Sequence, residues 1–103
     1  FAEDMLKYFN CNLLFMGDDG VDLEFGVTTT NMMEANLNRM MMNTSQQTVL
    51  LVDSSKFGKK GFIKICDVGE IDRIITDDKI PQIYLESLQE QGIEVTIVPV
   101  SRG

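Results

Sequence analysis

Short, mostly apolar runs recur along this chain at residues 13–16 (LLFM), 48–52 (TVLLV), 73–76 (RIIT) and 94–98 (EVTIV). Such runs, bounded by turn residues, read as buried strands. Between them the period changes. Residues 2–9 carry Met5, Leu6 and Phe9 at helical spacing, which predicts a short amphipathic helix. Asn31 followed three residues later by Glu34 is a capping-box pattern, and the helix it opens extends to about Asn43. Within it Met33, Leu37, Met40 and Met41 form a stripe that reads as flexible core filling. Residues 62–66 (FIKIC) alternate and suit an edge strand or an extended connection, and Asp67 can cap a single turn as far as Ile71. Pro81 sits near the first turn of a last helix that ends at Gly92.

Apolar strands separated by helices predict an α/β domain whose parallel sheet is covered by helices on both faces. At 103 residues the chain fits one domain, with no internal repeat or low-complexity linker. Phe1 in place of a Met, opening straight into a helical pattern, predicts a piece of a longer polypeptide. The end at Val100-Ser101-Arg102-Gly103 trails off after a strand as a natural terminus does.

Charge narrows the function. Nine Lys and Arg against sixteen Asp and Glu give a net charge of −7, the wrong balance for a surface that displaces counterions from nucleic-acid phosphates. No apolar run approaches the roughly 20 residues needed to cross a bilayer. Cys11 and Cys66 lie in apolar contexts and read as buried thiols of a reducing compartment, not as a disulfide. With no histidine and no cysteine cluster, a zinc site is all but excluded. The acids Asp18, Asp19, Asp22 and Glu24 suggest Mg²⁺ less readily than they suggest a solvated loop.

Ligands of open α/β sheets bind beyond the carboxyl ends of the strands. That rule selects Gly17–Asp22 with Gly26–Asn31, then Asp53–Gly58, then Thr76–Asp78. Carboxylates there can accept from sugar hydroxyls, while threonine hydroxyls, helix-start amides and Lys56 can hold an anion. Blander readings stand beside this one. Gly17 and Gly20 can serve a sharp turn, Asp22 a local backbone cap, Glu34 the capping box, and Lys56 can be one solvated member of a trio with Lys59 and Lys60.

The ordered series GDDGVD (17–22), GVTT (26–29), EANLNR (34–39), DSSKFG (53–58) and IITD (74–77) resembles the C-terminal domain of the DeoR family of bacterial sugar-catabolism repressors. The likeness covers nearly the whole chain and runs closest to repressors of hexitol and amino-sugar operons, such as glucitol and N-acetylgalactosamine regulators. That family's sensor domain is similar in fold to ribose-5-phosphate isomerase, glucosamine-6-phosphate deaminase and CoA transferases. Laid on the isomerase motifs, Asp19 and Asp22 match the aspartates of the first loop, Gly26 to Thr29 the glycine-rich loop, Glu34 the catalytic glutamate and Lys56 a later lysine. Gly20 stands where the isomerase has an acid, and Phe25 where it has a lysine. Enediol chemistry needs a positioned base and a stabilised oxyanion. A pocket frame without that cation and acid predicts a binder, with no catalytic residue, metal or cofactor.

The resemblance implies a cytoplasmic effector-sensing domain with Asp19, Gly20, Asp22, Gly26, Thr28, Thr29, Glu34 and Lys56 at a phosphorylated-sugar site. It further implies that the winged helix-turn-helix that touches DNA and the first half of the sensor lie outside these residues, and that the intact protein is a homo-oligomer. A sugar-phosphate isomerase or deaminase half-domain and a non-sensing oligomerisation module are the alternatives.

Overall fold

The computed structural model describes residues 11–17 and 19–100. The helix expected over residues 2–9 lies outside them. Seven strands and two α-helices follow one another: β1 (Cys11–Gly17), β2 (Gly20–Asp22), β3 (Gly26–Thr29), α1 (Met32–Thr44), β4 (Ser45–Leu51), β5 (Ile63–Cys66), β6 (Arg73–Asp77), α2 (Gln82–Glu90) and β7 (Glu94–Val98). Single 3₁₀ turns stand at Ser54–Lys56 and Val68–Glu70.

The four apolar runs form one parallel sheet in the order β1-β4-β6-β7. Registry places Met16, Leu50, Ile74 and Val95 in one row across all four strands. Leu50 and Ile74 are fully buried in it, and the core closes beneath with Val21, Val27, Phe57 and Leu88. Each step along the sheet moves the same way. Right-handed crossovers then place every connection on one face, which is where the shared core lies. The opposite face carries Leu13 and Leu51, 44% and 43% exposed. That face is only partly covered, with Val49 buried between them.

A second sheet, β2-β3-β5, is antiparallel. The sequence reading takes residues 20–22 and 26–29 as loops, and the structure makes them a hairpin. Its turn is closed by Asp22, whose Oδ2 accepts from the amides of Glu24 (3.0 Å) and Phe25 (2.7 Å). Gly26 follows at φ +110°, a conformation that favours glycine. The alternating run 62–66 supplies the edge strand β5, as expected.

Helix α1 corrects the expected stripe. Its sheet-facing residues are Ala35 and Asn38, with Met41 and Met42 packed against the core, whereas Met33 is 81% exposed and Leu37 is also exposed. A wide groove of about 580 Å³ along its outer side is lined by Met33, Glu34, Leu37 and Met40. Three methionines and a leucine at helical spacing fit either side of the helix, and the small residue Ala35 marks the side that meets the sheet.

Candidate functional site

Three strand ends, those of β1, β4 and β6, project toward the candidate site. After β1, Asp19 pairs its amide with the Thr28 carbonyl (3.1 Å), and its Oδ2 accepts from the Thr30 amide (3.0 Å) and from the hydroxyls of Thr29 (3.2 Å) and Thr30 (3.3 Å). Donation from the Thr30 amide, joined by both hydroxyls and the positive charge of Lys56, holds the Asp19 carboxyl below the ordinary carboxylate range. Among the described residues no hydrogen bond reaches the second oxygen, Oδ1. Asp19 is thus an ionised, pre-oriented acceptor.

After β4 the chain enters the 3₁₀ turn. Asp53 accepts from the Ser55 amide (2.9 Å) and from the Ser55 hydroxyl in a short contact. Those two bonds, the hydroxyl's first, and the charge of Lys56 lower the Asp53 pKa. After β6, Asp77 reaches across to accept from the Ser54 amide (2.8 Å) and turns back to accept from the Lys79 amide (2.9 Å). Donation from Ser54 is the main reason its pKa also lies low. Lys56 therefore stands within the electrostatic reach of carboxylates from two strand ends, Asp19 and Asp53, and is half-buried.

The segment after Lys56 is stitched to the hairpin. Phe57 bridges to Val21, the Gly58 amide donates to the Val21 carbonyl (2.7 Å), and the Gly61 amide donates to Thr28 Oγ1 (2.7 Å). Gly20 is required by this approach, because a Cβ there would run into the Lys59 carbonyl. These bonds bring Asp19 and Lys56, 37 positions apart in sequence, to the same rim.

The expected site residues now separate. Asp19 and Lys56 lie together at the strand ends. Thr28 and Thr29, expected to offer hydroxyls to an anion, are fully buried with those hydroxyls engaged inside the protein: Thr28 between the Gly20 carbonyl and the Gly61 amide, Thr29 between Asp19 and the Asn31 amide. They hold the site's frame and do not face a ligand. Gly20 serves close packing. Asp22 and Gly26 form the far end of the hairpin, where Asp22 is the turn cap described above; its pKa is lowered by the Phe25 and Glu24 amides, with Lys60 adding its charge.

Glu34 sits one turn into α1. Its amide donates to Asn31 Oδ1 (3.0 Å), but the Asn31 amide goes to Thr29 Oγ1, so the box is half formed. Its side chain lines the outer groove beside Met33. The Glu34 and Ala35 amides at the helix start and those of residues 54–59 are likewise engaged internally, which removes them as ready anion donors. Sequence reasoning missed Asp77 as the strap on the 53–58 loop; its place at the end of an apolar run was the available signal. No group of three or more Asp, Glu, Cys or His among the described residues is arranged to hold a metal.

An α/β domain with polar residues gathered beyond its strand ends has the architecture in which small ligands are bound. The DeoR C-terminal sensor domain family matches residues 1–78, and the chain belongs to that family. It is 43% identical over 97 residues to a protein of Escherichia coli O157:H7 named for its role as aga operon transcriptional repressor, covering 94% of this chain and 36% of that protein. It is 34% identical over 94 residues to the HTH-type transcriptional regulator GlpR of Haloferax volcanii, covering 91% and 37%. With the L-fucose operon activator of Haemophilus influenzae it shares 32% over 97 residues, covering 94% and 39%. The chain spans little more than a third of the length of these relatives. They are regulators and the matched domain is a regulatory one, not an enzyme.

Proposed function

We propose that this chain is the effector-sensing part of a cytoplasmic, homo-oligomeric regulator of a sugar catabolic operon, and that it binds a phosphorylated sugar at the carboxyl ends of β1 and β4. Asp19 Oδ1 accepts from sugar hydroxyls, and Lys56 meets the anionic end. Thr28, Thr29, Gly20, Asp22 and Gly26 fix the hairpin that presents Asp19, and Glu34 caps α1 or accepts a hydroxyl at the margin. DNA is met by a winged helix-turn-helix outside these residues, and occupancy of the rim shifts a coupled equilibrium that sets operator affinity. Relatives named both for repression and for activation support sensing as the shared element rather than one direction of control.

The observation that carries this reading is the meeting of Asp19 and Lys56 from two different strand ends, on a frame of buried threonines. The test is a thermal-shift and calorimetric screen of full-length protein against hexitol, hexosamine and ketose phosphates. A ligand at 100 times its Kd stabilises by about 2.7 kcal/mol, a readily seen rise in Tm. Lys56→Ala is expected to weaken that ligand at least tenfold. If no member of the screen shifts the protein, the reading falls.

A further inference from the structure

Lys56 is the cation of the proposed rim, and beyond its own 3₁₀ turn, where its amide donates to the Asp53 carbonyl (3.1 Å), its placement depends on other elements. The loop from Asp53 to Gly58 is held by the unit that follows it in the fold. At the loop's start, Asp77 at the end of β6 accepts from the Ser54 amide. At its end, the Tyr84 ring of α2 lies against Phe57, with centroids 5.3 Å apart and the planes inclined by 53°. Gly58 turns away at φ +88°, and a Cβ there would stand 3.3 Å from the Tyr84 hydroxyl oxygen. Phe57 itself is buried against Val21 of the hairpin. Lys56 thus rides on a short segment clamped between β2 and α2.

We infer that Tyr84 is the positioning residue for Lys56, and that through the Phe57–Gly58 clamp effector binding at the rim is coupled to the placement of α2. This rests on the rim being the effector site. The chemistry agrees with the geometry. Tyr84 is half-buried, its hydroxyl p Ka is raised by that burial and by the negative charge of Asp22, so it stays a neutral phenol across the physiological range. A rigid aromatic with two side-chain torsions fixes its neighbour at low entropic cost. Gly58 lets the backbone pass the hydroxyl, and Phe57 transmits the position to the residue next to it.

The coupling has a direction that can be measured. If Tyr84 acts only through Lys56, then removing either one removes the same contribution to ligand binding, and removing both costs no more than removing Lys56 alone. A variant that merely loosens the core would instead add its effect to that of Lys56→Ala.

The experiment uses full-length protein and, as probe, whichever hexitol, hexosamine or ketose phosphate shifts its Tm most. Tyr84→Ala is expected to weaken the probe about tenfold, Tyr84→Phe less than threefold, and Tyr84→Ala with Lys56→Ala no more than Lys56→Ala alone, converting at 1.4 kcal/mol per tenfold. Leu88→Ala, on the same helix but in the core, is the comparison for general loosening; its effect on affinity is expected to be smaller than that of Tyr84→Ala even where its Tm is lower. Hydrogen exchange at the Phe57 and Gly58 amides, measured without any probe, is expected to quicken more than tenfold in Tyr84→Ala and not in Tyr84→Phe. Unchanged exchange, or affinity losses that sum, overturns the clamp. Quickened exchange in a protein that binds no member of the screen leaves the clamp standing and removes the effector reading instead.

Discussion

Across the parallel sheet one row runs Met16, Leu50, Ile74, Val95; across the antiparallel sheet the corresponding row runs Gly20, Thr28, Lys64. The first is held by apolar area withdrawn from water, which is non-directional and tolerant of small shifts. The second has a glycine, a buried hydroxyl and an exposed lysine. While that sheet's other row, Val21, Val27 and Cys66, is buried in the shared core, this row is ordered by directional bonds: the Asp22 turn cap, the Thr28 hydroxyl between hairpin and loop, and the Asp19 carboxylate over Thr29 and Thr30. Such bonds fix the direction of the Asp19 carboxylate, which remains exposed. The parallel sheet supplies the strand ends after which Asp19 and Lys56 lie, and the hairpin supplies the bonds that orient Asp19.

The contrast is broken most forcefully from the parallel side. Leu50→Ala removes a side chain of zero exposure at the centre of β4. It is expected to destabilise the domain by about 2–5 kcal/mol, read as a fall in the urea midpoint with probes in both sheets moving together. Separate transitions for the two sheets would show that the hairpin does not depend on the parallel core.

Thr28→Val tests the other side. The substitution keeps the volume of a fully buried residue and removes the acceptor of the Gly61 amide. A fully buried unsatisfied donor costs about 1–3 kcal/mol, and the part-buried Gly61 amide is expected at or below the lower end of that range. The expected signature is local: faster hydrogen exchange at Gly61 and weaker effector binding, with exchange at Leu50 and Ile74 slowed as before. A loss spread evenly over both sheets would mean that the hairpin's bonds are not its separate support.

These two sheets also differ in how far the sequence announces them. The parallel strands are legible because each is an apolar run bounded by turn residues, and the succession of elements, helix α2 and the class of the domain follow from that pattern. Residues 20–22 and 26–29 read as loops because a three-residue strand containing glycine, and a four-residue strand ending in two threonines, carry no periodic signal. They become strands only when β5 pairs alongside and Asp22 closes the turn. The same blindness affected the site. Asp19 and Lys56 are singled out by their position after apolar runs, whereas the burial of Thr28 and Thr29 is not legible: a threonine's burial depends on which partner meets its hydroxyl, and for Thr28 that partner, Gly61, is 33 positions away. The outward stripe of α1 failed for a related reason, since spacing defines a face without saying which side meets the sheet.

A milder test on the covering elements uses the exposed ion pair of Arg39 on α1 with Glu70 (2.8 Å), which joins the helix to the turn between β5 and β6. Both side chains remain largely solvated, and Glu70→Gln is expected to cost less than about 1 kcal/mol. Glu70 also accepts from the Asp67 amide (2.8 Å), a bond that glutamine can retain. Denaturation at low and at high salt separates the two contributions: the difference from the unmodified protein should shrink as salt rises, and a salt-independent difference would assign the residue's effect to the cap instead.

The smallest expected effect concerns the site's own charge. The Asp19 carboxyl lies below its ordinary value chiefly because the Thr30 amide donates to the charged form. A group whose folded pKa is depressed contributes stability that is present above the unfolded pKa, near 3.9, and is lost as pH falls through the folded value. Above about pH 5 that contribution is fully present and constant, so Asp19 should give stability no pH dependence there; below about pH 4 it drains away. Asp19→Asn removes the titration and keeps an acceptor oxygen for Thr30. The variant is therefore expected to be slightly less stable than the unmodified protein at pH 7 and to lose less on acidification, so that the urea midpoints converge toward pH 3. Because the carboxylate is exposed, solvent screens much of this difference, and several other carboxylates with lowered pKa, Asp22, Asp53 and Asp77, titrate in the same window. The reading is taken from the difference between the two proteins, where those shared contributions cancel. Midpoints that diverge as pH falls would mean that Asp19 is not held in its charged form by the hairpin, and the pre-oriented acceptor at the rim would be lost with it.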